Sequence, residues 1–195
     1  MWPKWSTSHQ KETKINIDAI SAVQEVSRAV TLALGGRLAF APGVVVVCIG
    51  SDRSTGDALG PIIGTFLSQR RLPNTQIYGT LQEPVHAANL HETLSILSRK
   101  HGTAKVVAVD ACLGKSDSIG VITVGLGSLR PGAGVHKELP PVGDIYVTGV
   151  VNIGGFMEYF VLQNTRLYLV YRLAETIAAG LSTALGGTDG DKIRA

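Results

Sequence analysis

The stretch Val44-Val-Val-Val-Cys-Ile-Gly-Ser-Asp-Arg-Ser-Thr-Gly-Asp-Ala-Leu-Gly-Pro61 decides the fold. Its first six residues are uninterruptedly apolar and rich in valine. A run of that kind predicts a strand buried on both faces, as in a parallel sheet. Pro42-Gly43 opens the strand. The polar segment 51–56 then leads into a helix over 57–70, with Leu59, Ile62, Ile63, Phe66 and Leu67 as its apolar positions.

Outward from this unit, helical and strand patterns alternate. Ile20, Val23, Val26, Val30 and Leu34 predict a helix over 17–36, closed by Gly35-Gly36. A short strand is expected near 75–80 and a helix over 86–100. The apolar run Ala104–Cys112 is a second buried strand, and 119–125 and 145–151 are two more. A helical region over 156–185 should break near Asn164. Strands alternating with helices imply crossover connections. The expected architecture is α/β, a three-layer α/β/α sandwich on a mostly parallel central sheet, as in phosphorylase/hydrolase-like folds. In such sheets the functional loops gather at the carboxyl ends of the strands.

The chain has 195 residues, of which 45% are hydrophobic and 17% charged, with a formal net charge of +3. One domain over 17–186 is expected, between an amino-terminal arm (1–16) carrying Trp2 and Trp5 and a tail (187–195). The arm's tryptophans suit packing on the body, on a neighbouring copy in a homo-oligomer, or on a docking partner. No basic stripe with interleaved aromatics is present, which argues against direct nucleic-acid binding. Charged residues interrupt the apolar stretch 156–185, which argues against a membrane span. Two cysteines, Cys48 and Cys112, make no disulfide framework. With no secretory leader legible at the start, a reducing, cytoplasmic setting is expected.

Two acids carry the candidate chemistry. Asp57 lies where the glycine-rich loop enters a helix, and Asp110 follows the apolar Val106–Val109. The loop lacks the Lys-Ser/Thr of a phosphate loop and the G-x-G-x-x-G spacing, and its own acids would repel a phosphate. Asp57 alone reads equally as a helix cap, and Asp110 alone as a carboxylate satisfying loop amides. Together, on neighbouring strands about 4.8 Å apart, they could share one crevice. One would then hold a proton while the other acts as a base. With His86 as a third group, the same pair could instead bind a divalent metal. His91-Glu92 begins a zinc-protease pattern that Ser95 breaks. Cys112 lacks an evident activating base. Ser51 and Asp52 in the first loop, His86, and Gly132 and Gly134 in the loop Gly125–His136 are the expected substrate-binding positions. The segment 150–155 is a further candidate border of the crevice.

Several of these segments carry a family resemblance. Residues 50–61, 109–114, 129–144 and 149–167 resemble the YyaC sporulation proteins, over roughly 40–185. That family is in turn similar to the spore germination protease, which degrades small acid-soluble spore proteins, and to the hydrogenase maturation endopeptidases. The resemblance implies a cytoplasmic endopeptidase of the sporulating cell or spore, with Asp57 and Asp110 as catalytic residues and a peptide or small protein as substrate. It implies no certain cofactor, although acids at similar strand ends contact nickel in the hydrogenase endopeptidases. The alternatives are a non-catalytic peptide- or partner-binding protein on the same fold, or a metal-assisted processing peptidase. Gly56 departs from the germination protease, which has proline there, as does Cys112-Leu-Gly114 after the second acid.

Overall fold

A computed structural model of the chain describes residues 12–36, 43–132 and 139–187. Its centre is the valine run, now β2 (Val44–Cys48), buried at every position. Val44, Val46 and Cys48 point into one apolar cluster, whereas Val45, Val47 and Ile49 point into another. Both faces of the strand are therefore covered, which is why no polar residue interrupts it.

In chain order the elements are β1 (Thr13–Asn16), α1 (Ala22–Ala33), β2, α2 (Leu59–Ser68), β3 (Thr75–Tyr78), α3 (Leu90–His101), β4 (Lys105–Gly114), β5 (Val121–Leu126), β6 (Ile145–Ile153), α4 (Glu158–Gln163) and α5 (Leu167–Ala184). The sheet order is β1-β5-β6-β4-β2-β3. Pairs β3·β2, β2·β4 and β4·β6 are parallel, and β5 runs antiparallel to both of its neighbours. Helices α1, α2 and α5 cover one face through Val26, Val30, Leu59, Ile63, Leu173 and Ile177. Helix α3 covers the other through Leu90 and Leu97. The chain is thus an α/β/α sandwich with a mostly parallel sheet. No helix of the described residues is long and apolar enough to cross a membrane.

Three local readings change. Thr13–Asn16 is not the end of an arm but an edge strand paired with β5. It buries only Ile15 and exposes its polar residues. Four residues with one buried position leave almost no periodic signal, and polar side chains suit an edge. Residues 1–11, with both tryptophans, and 188–195 lie outside the described residues. Helix α1 starts at Ala22 because the Asn16 side chain accepts the Asp18 N–H at 2.9 Å, forming a turn that leaves Ile20 fully exposed. Helix α3 starts at Leu90 because Asn89 ties 84–89 into a turn: its Oδ1 accepts the His86 N–H, and its Nδ2 donates to Pro84 O.

The chain leaves β2 through α2 toward β3 and returns through α3, on the opposite face, to β4 on the other side of β2. From β4 it moves on toward β5 and β6. The carboxyl ends of β2 and β4 are therefore the topological switch point, where the exits diverge and a crevice opens. Helix α2 lies close to this point. A Cβ on Gly60 would stand 2.0 Å from Ile49 O. We expect Gly60→Ala to destabilise the fold by about 3 kcal/mol, read as a lower urea midpoint with an unchanged slope.

Candidate active site

The loop after β2 is folded tightly by its backbone. Ile49 N–H donates to Val109 O at 2.7 Å, closing the parallel pairing at Cys48–Val109, and Gly50 N–H donates to Val85 O at 2.8 Å. Gly50 then turns with φ +143°, and a Cβ there would stand 2.0 Å from Asp57 O. That close return brings Asp57 beside the end of its own strand, where Ser51 N–H donates to Asp57 O. Gly56 N–H donates to Leu162 O of α4 at 2.8 Å, anchoring the residue before the acid. A proline at 56 would have no N–H for this bond, and a Cβ there would meet Leu162 Cδ2 at 2.8 Å and Thr165 Oγ1 at 2.9 Å. Gly56 thus fits its surroundings where proline would not. Ala58 occupies the cap position of α2, with no side-chain cap bond, so Asp57 is not its N-cap.

Asp110 lies inside β4, not at its end. Pairing with β2 stops at Cys48–Val109, whereas pairing with β6 continues through Asp110–Thr148 to Gly114. The sheet therefore steps at Asp110, and the Asp57 loop fills the step. Asp110 is 8% exposed, and its Oδ1 accepts the Ala111 N–H at 2.8 Å. Burial pushes its carboxyl well above the usual 3.8, the negative charge of Asp57 pushes the same way, and the Ala111 N–H partly opposes both.

Both acids line two adjoining lobes. One, of about 300 Å³, is walled by Ser51, Arg53, Ser54, His86, Pro131 and Tyr159. The other, of about 250 Å³, is walled by Cys112, Leu129, Arg130 and Thr148. Asp57, Asp110, Gly132 and Leu162 belong to both. The acid pair thus stands between two recesses.

Of the positions expected to contact substrate, Ser51, His86 and Gly132 line the lobes, and Gly134 lies outside the described residues. Asp52 is solvent-exposed and absent from both linings, while its neighbour Arg53 faces the crevice. His91 is exposed on α3. Asn152 turns toward α4, donating to Val161 O and Thr165 Oγ1, so the 150–155 segment braces the wall from behind. Thr148 belongs to no motif, and Ser54 and Tyr159 fall inside the segments 50–61 and 149–167 without a chemical signal of their own. Thr148 becomes legible only through its register with Asp110. Ser54 Oγ is buried with no hydrogen-bond partner among the described residues.

Among the described residues the site does not suit thiol or metal chemistry. Burial pushes the Cys112 thiol up to about 11, with Thr148 as its hydrogen-bond partner, so it is not an activated nucleophile near neutrality. Cys48 is buried and shifted further in the same direction. Among the described residues no three His, Cys, Asp or Glu side chains gather as a metal-ion site. His86 Nδ1 instead accepts the Ala88 N–H at 3.3 Å. A nickel or other divalent ion does not fit the donor set of the described residues.

Burial of Asp110 has a stability consequence. Below pH 3.8 the acid is protonated in both folded and unfolded chains and imposes no penalty. As pH rises, the unfolded acid ionises first, and stability falls until the raised folded pKa is passed. Asp110→Asn keeps an acceptor for the Ala111 N–H and removes that penalty. It should stabilise the protein at pH 7, read as a higher melting temperature than wild type, with the gain disappearing toward pH 3.8 in thermal melts across pH.

Residues 8–180 match the family described as "Protein of unknown function (DUF1256)". The chain is 47% identical over 175 residues to "Uncharacterized protein YyaC" of Bacillus subtilis (strain 168), covering 90% of this chain and 85% of that protein. Among solved structures, a [NiFe] hydrogenase maturation protease, HycI, from Thermococcus kodakarensis KOD1 aligns at 16% identity with a TM-score of 0.49, covering 78% of this chain and 98% of that one. With the family model spanning most of its length and a relative at nearly half identity, the chain belongs to the DUF1256 family, of which YyaC is a relative.

Proposed function

We propose that the chain is an endopeptidase in which Asp57 and Asp110 act on a water and a peptide bond. The observation that carries this reading is the placement of a buried acid, its carboxyl pushed upward by burial, and a half-buried partner between two recesses. A polypeptide crossing the crevice would occupy one recess on each side of the acids, with its scissile bond at the centre.

In this reading Asp57 is the base. It takes a proton from the attacking water as the water oxygen bonds to the carbonyl carbon. Asp110 is the acid. It gives its proton to the leaving nitrogen as the C–N bond breaks. Water then reprotonates Asp110, and Asp57 releases its proton, restoring the pair. Ser51 and Gly132, on the walls of the larger lobe, would border the bound peptide. The resemblance to the YyaC sporulation proteins supports small acid-soluble spore proteins as the substrates to try, with the sporulating cell or spore as the setting.

The test is incubation of the purified chain with small acid-soluble spore proteins, with and without chelator, read by mass spectrometry. We expect cleavage that chelator leaves unchanged. Asp57→Asn and Asp110→Asn should each lower kcat by about 10²–10⁴. Activity should decline as pH rises through the raised Asp110 pKa, because the acid then loses the proton it must donate. Undiminished cleavage by either variant removes the mechanism. Binding without turnover by the wild type assigns the crevice to a peptide-binding protein instead.

A further inference from the structure

We propose that α4 and the first turns of α5 form a self-association surface through which two copies of this chain pair about a twofold axis. Among the described residues, most exposed large apolar side chains fall between Ile153 and Tyr171. Phe156 is 81% exposed and Tyr159 69%, and Met157, Phe160, Leu167 and Tyr168 are each more than half exposed. Helix α4 buries none of its residues. At about 150–250 Å² for each full aromatic side chain, these six expose roughly 800 Å² of side chain. That is about what each partner contributes to a standard protein interface.

Composition and geometry agree. The run is largely aromatic and aliphatic, contains no lysine or aspartate from 153 to 172, and carries Glu158 together with arginine at 166 and 172. This is the residue selection of interface cores. Arg172 lies 5.9 Å over the Tyr168 ring and pairs with Asp18 at 3.0 Å, forming a polar rim. Met157 takes φ +48° to start α4, a left-handed conformation that costs a non-glycine residue about 1 kcal/mol. The turn spends that energy while leaving Phe156 and Met157 projecting into water. Such an arrangement is stabilising only when the face is covered.

A second copy is the occupant that best meets this requirement. A substrate would leave the face bare between encounters, and an exposed apolar area of this size promotes aggregation. An identical copy is present whenever the chain is, and one self-complementary face closes the assembly. A net charge of +3 offers little repulsion between copies. The surface adjoins the crevice through Tyr159, so the partner copy would stand at the rim of the larger lobe.

The test is sedimentation of the full chain across the micromolar range, beside Phe160→Glu, Tyr168→Glu and a control, Leu126→Glu. Leu126 is an exposed side chain opposite Ile145, at the far end of β6 from α4. Circular dichroism confirms folding of each variant. We expect the wild type and the control to sediment as a dimer of the 20.5 kDa chain. Phe160→Glu and Tyr168→Glu should each weaken pairing by about 30-fold or more. A monomeric wild type overturns the proposal, as does a dimer indifferent to both glutamates. A wild type that pairs only after removal of residues 1–11 gives the face to the chain's own amino-terminal segment and likewise overturns it. None of these outcomes depends on whether the crevice cleaves peptides.

Discussion

The parallel pairing of β2 with β4, and its early end, organises everything else in the molecule. Five residues of β2 pair in register with β4, and β4 then runs on beside β6 alone. At the step between them, one strand releases its loop while the other presents an acid. Had β2 continued for two more residues, Asp110 would lie under a backbone ladder and be closed to any ligand. Had β4 ended with β2, the acid would be on a solvated loop with an ordinary affinity for its proton.

That arrangement has an energetic cost that the surroundings offset. A carboxyl is placed where only 8% of the residue reaches solvent, with a second acid beside it. The valine strands on each side, the close seat of α2 at Gly60, and the anchoring of Gly56 to Leu162 hold the acids together against their mutual repulsion. A group kept protonated by burial and like charge is poised to donate that proton. Stability is sacrificed at the one place where the fold gathers its loops.

The bracing runs on to the outer surface. Leu162 both lines the crevice and receives the Gly56 N–H, and it belongs to the six-residue helix that carries the exposed aromatic face. Asn152 ties the end of β6 to the same segment. The aspartate loop, the end of the sheet and the apolar surface are thus neighbours in one hydrogen-bonded unit.

The valine run by itself determined a buried parallel strand, because a strand covered on both faces cannot carry polar residues. The alternation around it determined the layered architecture, and the break near Asn164 was visible in the same pattern. Asp57 and Asp110 were legible as acids at the mouths of apolar runs. Only the tertiary structure decided that β2 and β4 are neighbours, that Asp110 lies within its strand, and that Thr148 stands beside it, because strand order depends on contacts distant in sequence. Tertiary structure likewise decided that Arg53 and not Asp52 faces the crevice, since adjacent residues in an irregular loop have no fixed periodicity. The edge strand at 13–16 escaped notice for a related reason: one buried isoleucine is too little pattern, and its partner lies more than one hundred residues away.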